Sequence, residues 1–226
     1  KPAEKDTKDD DKLTINLPPW TGPKKRLGVM DIDVKVASTT TIEPTTTGGV
    51  VSTTTQSIPM PVDFGTGLTE MLTTALYDSK RFILLERKAM ADIATEQSYS
   101  ASGAMTADSA TLSGKLLGAQ ALIRGAVTEF SYKRSSTGGN VSALKGIGLG
   151  GTKSEASVVL DIRIYDATTG VIMESIKAEG RAGSSSTSVA VDRPELQVSA
   201  SGFSQTPLGQ ATRLAITKAV QGICER

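Results

Sequence analysis

The sequence contains no histidine, which removes the commonest general base and the commonest transition-metal ligand. A Ser-His-Asp arrangement cannot be built from it. Its one cysteine, Cys224, cannot form a disulfide within the chain, and a zinc site of the usual Cys/His kind is excluded. Cys224 falls in the last turn of an expected helix, where a small core-facing residue is the plain reading. Aromatic residues make up 4%, while Thr, Ser, Ala and Gly abound, a composition that suits β-rich surfaces and close subunit packing. No stretch approaches the ~20 apolar residues of a membrane helix. No signal peptide is present, and a chain that opens on a charged segment matches what export and cleavage leave behind. Lys+Arg is 25 against Asp+Glu 24, so the totals carry no electrostatic footprint for nucleic acid.

What is there begins with a charged segment, Lys1 to Lys12. It cannot bury enough apolar surface to offset its ordering entropy and reads as a disordered tether. Leu17-Pro18-Pro19-Trp20-Thr21-Gly22-Pro23 reads as a stiff linker, either a spacer or a strap docked through Trp20. In Arg26–Val36, Met30, Ile32, Val34 and Val36 alternate with charged residues, predicting a strand with those four on its buried face. A Thr-rich stretch from Ser38 to Pro61 follows. Its runs Thr39–Ile42 and Val50–Thr55 flank Gly48-Gly49, which fits a hairpin with a primed turn, with Pro44 keeping one arm near an edge.

Downstream, Leu68, Met71, Leu72, Ala75 and Leu76 predict a helix over 63–79, with Asp63 as N-cap or first-turn acid. A buried strand over 81–86, a helix over 87–97 with Met90, Ile93 and Ala94 inward, and a short helix over 109–117 stopped by Gly118 are expected next. Strands are predicted over 121–130, 157–165 and 171–178, the last two joined by the turn Asp166–Gly170. Val158, Leu160, Ile162 and Ile164 mark one face of the middle strand, and Asp161 and Arg163 the other. A final helix spans 207–224, with Leu208, Ala211, Ala215, Ile216, Ala219, Val220 and Ile223 apolar. The order predicts an α+β fold, a mixed sheet with helices packed on it.

Motifs for chemistry are missing. Gly146-Ile147-Gly148-Leu149-Gly150-Gly151 lacks the spacing of a dinucleotide loop and no helix follows it. Glu86 and Arg87 are adjacent in an expected strand, so they point to opposite faces and form no catalytic pair. No motif supports a Ser-Lys dyad. The reading is of a protein that is not an enzyme and takes no cofactor and no metal.

The run Gly65–Arg87, in which a helix and short turn lead into Phe82-Ile83-Leu84-Leu85 closed by Glu86-Arg87, resembles the central signature of the curli secretion channel (CsgG/HfaB-like) family. The helix with Glu96-Gln97, the element Leu116–Gly125, and the turn Ile164–Gly170 are similar to further parts of that family. The resemblance covers about Arg26 to Cys224. It implies a periplasmic lipoprotein held by an acylated N-terminal cysteine, which these residues do not include. It also implies a ring in which each subunit gives long β-hairpin insertions to a shared oligomeric β-barrel, while a loop after the first strand forms a central constriction.

Mapped onto this chain, residues 1–23 are the tether, and residues 24–226 form a CsgG-like α+β domain with insertions 37–61, 131–156 and 178–205. The constriction falls on Thr39, Thr40, Thr41, Thr45, Thr46, Thr47, Thr53, Thr54 and Thr55, and the membrane-facing hairpin positions are Val141, Ala143, Ile147, Leu149, Val189 and Val191. The partners implied are further copies in a homo-oligomeric ring, the outer membrane through an N-terminal lipid or the hairpins, and an exported protein or envelope-machine subunits, with no nucleic acid. The place implied is the periplasmic side of a Gram-negative outer membrane. The competing expectation is a soluble periplasmic lipoprotein adaptor that regulates a cell-wall synthesis partner. The long charged tether suits the adaptor, since reach depends on linker length. The three insertions suit the ring.

Overall fold

A computed structural model describes residue 15 and residues 17–36, 38–47, 50–59, 63–139, 149–187 and 206–225. In chain order the elements are β1 (Lys25–Val34), β2 (Ser38–Thr47), β3 (Val50–Pro59), α1 (Phe64–Asp78), β4 (Phe82–Leu85), α2 (Met90–Ala101), β5 (Ala121–Gly139), β6 (Leu149–Asp166), β7 (Ile172–Thr187) and α3 (Pro207–Cys224). The main sheet has the order β4-β1-β5-β6-β7. β1 is parallel to both β4 and β5, whereas β5, β6 and β7 are antiparallel neighbours. It is a mixed sheet with helices on one face, the α+β fold that the element order predicts.

α1 packs on β1 and β4, and α3 packs on β6 and β7. The core between them holds Leu68, Leu72 and Leu76 of α1, Ile216 and Val220 of α3, and Leu160 and Ile162 of β6. Each such side chain contributes about 1.5–3 kcal/mol through burial. α3 starts where Thr206 accepts a hydrogen bond from the Gly209 amide at 3.0 Å, with Pro207 in its first turn. Asp63 occupies the N-cap position of α1 but makes no capping hydrogen bond through its side chain.

The inward residues of β1 are Leu27, Val29 and Ile32, whereas Met30 and Val34 are exposed. For Met30 the cause is a bulge, whereas Val34 keeps the phase of Ile32, lies beside Gly65 of α1 and is exposed as the last residue of the strand. Between Val29↔Ile123 and Ile32↔Gly125, β1 spends one residue more than β5, and each extra residue reverses the side-chain phase. The Ile32 amide is taken up by the hydroxyl of buried Thr69 at 2.9 Å, and that hydroxyl donates to the Gly65 carbonyl at 2.9 Å. α1 is thereby fixed against the kink.

Other expectations are corrected. β4 is an edge strand, and its Ile83 is exposed. α2 runs from Met90 to Ala101, buries no residue, and leaves Ala94 exposed. No helix forms over 109–117, where the chain makes turns and irregular backbone; its Leu112, Leu116 and Leu117 are exposed and find nothing to pack against. The strand expected over 121–130 runs on to Gly139, the one over 157–165 begins at Leu149, and the one over 171–178 continues to Thr187. The segments read as insertions are thus in part extensions of the sheet.

Candidate functional site

The feature that sets this fold apart is a ribbon built from the long strands. A bulge between Val127 and Glu129 in β5 lies at the level where β1 stops; beyond it Phe130 is still in the core and Tyr132 packs against it, and the ribbon continues past them. At the same level the Lys35 amide donates to the Val127 carbonyl at 3.0 Å and β1 ends. The β5–β6 ladder continues unbroken from Glu129↔Val159 to Gly139↔Leu149, and β6–β7 keeps step to Gly151↔Thr187. Since β5 and β7 both run antiparallel to β6, Gly139 and Thr187 reach the same end of the sheet. β2 follows β1 and runs alongside β5.

β2 and β3 form the hairpin expected around Gly48-Gly49, in register from Ser38↔Pro59 to Thr47↔Val50. This brings Thr39, Thr40, Thr41, Thr45, Thr46 and Thr47 onto one arm and Thr53, Thr54 and Thr55 onto the other, with Ile42 opposite Thr55, Glu43 opposite Thr54 and Pro44 opposite Thr53. Leu149 is the first residue of β6, opposite Gly139. Val141, Ala143, Ile147, Val189 and Val191 lie outside the described residues.

The sheet face opposite the helices is charged. Arg124 donates to Asp33 at 3.2 Å, and Lys35 lies 3.4 Å from the same carboxylate. Asp33 is held below the usual carboxylate range, chiefly by the Arg124 bond and then by Lys35. Lys177 pairs with Glu129 at 2.9 Å, and this bond raises its pKa. Glu179 pairs with Arg181, which lowers the carboxyl pKa. Arg163 stands directly opposite Arg124 in the β5–β6 register. These exposed pairs each contribute little to stability.

At the β4 edge, Lys88 bridges Asp31 at 3.2 Å and Glu70 at 3.0 Å, and the Glu70 bond leads the upward shift of its pKa. Glu86 does not face a catalytic partner. It accepts from the Lys88 amide at 2.6 Å and the Ala89 amide at 3.4 Å, which lowers its pKa and anchors the turn into α2. A cleft of about 260 Å³ between α1 and β4, lined by Val29, Thr73, Thr74, Tyr77, Leu84, Leu85 and Glu86, holds one ionisable carboxyl and no base beside it. Among the described residues no three His, Cys, Asp or Glu side chains gather to hold a metal, and no helix is long and apolar enough to cross a membrane.

Sequence reasoning missed the partner of the linker. The Arg81 guanidinium donates to the Pro18 carbonyl at 2.8 Å and lies 5.2 Å from the Trp20 ring. Ile15 and Leu17 pack against the core. Docking through Trp20 is one of the two readings of the linker; nothing in the spacing points to Arg81, which lies far along the chain.

The model of the family described as "Curli production assembly/transport component CsgG" matches residues 24–226. No curated protein matches the chain. Among solved structures, the chain is similar to the hypothetical protein CT253 from Chlamydia trachomatis, at 12% identity and TM-score 0.47, covering 89% of this chain and 96% of that one. It is similar to a PelC dodecamer from Paraburkholderia phytofirmans, at 13% identity and TM-score 0.41 over 93% and 96% of the two chains. A third is lipoprotein GNA1162 from Neisseria meningitidis, at 15% identity and TM-score 0.34 over 89% and 99%.

Proposed function

The chain belongs to the CsgG family of curli production assembly/transport components, and from that premise we propose that it is a ring-forming lipoprotein of the Gram-negative envelope. Its copies sit at the outer membrane on the periplasmic side. They act as a conduit for an exported protein or as the structural ring of an envelope machine. The family description names an assembly and transport role, and no catalytic step is assigned to any residue. Attachment is through an N-terminal lipid, through the strand extensions, or through both.

One observation carries this reading. β5, β6 and β7 extend together past the core, with strand lengths of 19, 18 and 16 residues. A strand that crosses a bilayer needs about 9–11 residues; the described parts beyond the core-packed Tyr132, Ala156 and Ala182 are shorter than that, so the reading rests on the shared extension and its edges. The β7 edge of this ribbon has no partner strand among the described residues, and at the other edge β2 runs alongside β5 without joining its ladder; long open edges invite pairing with another chain. Side-by-side copies of the ribbon close those edges in the way a barrel does. The Thr-rich β2–β3 hairpin, beside β5, then borders the passage and sets its width.

A second reading is favoured by the chemistry of the ribbon itself. Lys133, Arg134, Ser135, Ser136 and Thr137 in β5, and Thr152, Lys153, Ser154 and Glu155 in β6, put polar residues on both side-chain parities. Such a surface suits water, as in a soluble periplasmic adaptor that regulates a cell-wall synthesis partner. Light scattering and electron microscopy of the detergent-extracted protein separate the two. Rings with a central opening are expected; a monodisperse monomer overturns the ring and leaves the adaptor.

A further inference from the structure

Two sets of charges on this chain are incompletely matched within it. The first is on α2, which buries no residue. Asp92 and Glu96 stand four residues apart on one side of it, with Tyr99 on the same stripe, and all three are exposed. Neither carboxylate makes an ion pair among the described residues. The half-buried Met90, Ile93 and Gln97 occupy a neighbouring side, and the acidic stripe beside them is left open to solvent.

The second set is on the uncovered face of the sheet. Arg124 and Arg163 are direct cross-strand partners there. Like charges directly opposite one another destabilise a strand pair. Asp33 answers Arg124. Arg163 is exposed and has no ion pair among the described residues. Two cations at this spacing ask for an anionic group placed over them.

The spacings agree. Side chains four apart on a helix have Cβ atoms about 5–6 Å from each other, and directly opposed residues in an antiparallel pair have Cα atoms about 4.5–5.5 Å apart. Two carboxylates on α2 therefore match two guanidinium groups on the sheet, in number and in distance. Each Arg can take a carboxylate through two parallel N–H groups.

We propose that α2 of one copy lies across the uncovered sheet face of the next copy, with Asp92 and Glu96 meeting Arg163 and Arg124 and Tyr99 packed beside them. This rests on the ring reading above and names the surfaces that make the ring. The two surfaces differ, so the contact is head-to-tail, the kind that closes into a ring when its rotation permits. A second copy is the occupant because the same chain holds both complementary sets on separate elements. Buried between subunits, such a pair fixes register and orientation.

The test uses the full chain extracted in detergent. Arg163→Glu alone, and Asp92→Lys alone, are each expected to raise the protein concentration at which rings dissociate by roughly tenfold or more. The two changes together restore assembly. Both positions are exposed, and circular dichroism checks that the variants fold. Independently, a chain carrying both Asp92→Cys and Arg163→Cys is expected to give a disulfide-linked ladder on oxidation, which neither single variant gives; buried Cys224 stays out of it. Wild-type rings with no effect of the swaps and no ladder overturn this contact and leave the ring standing. A wild-type monomer under the same conditions overturns the ring reading and the contact with it.

Discussion

One guanidinium nitrogen of Arg81 donates to the Cys224 carbonyl at 2.8 Å, which ties the start of β4 to the last turn of α3. The cation sits where the helix leaves its carbonyls unpaired and its dipole negative. The other terminal nitrogen holds Pro18, with the ring of Trp20 beside it. One buried side chain thus joins the linker, β4 and the last helix. Arg81→Met removes both donors and leaves carbonyls unanswered, at a cost of roughly 1–3 kcal/mol each where they stay buried. The melting temperature is expected to fall by several degrees. Trp20 is the only tryptophan, so its fluorescence reports on the strap alone. Red-shifted emission and stronger acrylamide quenching are expected in Arg81→Met; unchanged emission means that the strap holds without this residue.

A second prediction concerns Gly180, where α3 meets the sheet. A Cβ placed on Gly180 would run into the Ala211 carbonyl oxygen and the Ala215 amide. Both are helix backbone, which cannot turn aside as a side chain does. Gly180→Ala is expected to push α3 off β7 and destabilise the domain by about 1–3 kcal/mol or more. The urea midpoint measures it. A midpoint within error of the wild type would mean that α3 does not approach β7 this closely.

How much of this is legible in the sequence depends on whether local pattern or tertiary contact decides a residue. α3 is readable to its ends, because Thr206, Pro207 and a continuous apolar stripe all say the same thing. Ile162 and its neighbours at spacing two mark the face of β6 in the same way. Met30 is misplaced by pattern alone because the bulge that reverses β1 is stabilised by Thr69, on a different element. The 109–117 segment has Leu112, Leu116 and Leu117 at helical spacing, yet all three are exposed; with nothing to pack against, spacing alone forms no helix. The Thr hairpin is visible in composition. The opposition of Arg124 and Arg163 is not, since it depends on a register that the β5 bulge does not disturb but that no local signal states.

The β6–β7 turn gives a pH test. Asp166 accepts from the Thr168 amide at 2.9 Å, the Thr169 amide at 2.8 Å and the Thr169 hydroxyl at 3.0 Å. These bonds favour the charged form, with the Thr169 amide first, so the folded pKa lies below the ordinary carboxylate value. A depressed pKa contributes stability that is full above the ordinary value and is lost as pH falls through the folded value. Asp166→Ala should therefore lower the thermal midpoint at neutral pH. The gap between variant and wild type should close as the acid limit is approached. A gap that persists undiminished in acid would show that the carboxylate charge is not what holds the turn.

The last prediction bears on the passage. Ser38 and Pro59 are paired at the base of the β2–β3 hairpin, so the ends of that excursion already lie side by side. Deleting Thr39–Thr55 leaves Gln56, Ser57 and Ile58 to span that short gap, a length that closes a hairpin readily. The five-stranded sheet takes no strand from the excised segment, and loss of the hairpin should leave its core stable, which the melting temperature checks. If β2 and β3 of each copy line the opening of a ring, removing them takes away its narrowest part. Reconstituted in planar lipid bilayers, the shortened protein is then expected to conduct more than the full chain, or to fail to assemble if the hairpins also pair between copies. Conductance equal to that of the full chain, with rings still formed, would remove the Thr-rich hairpin from the passage and place its role elsewhere in the assembly.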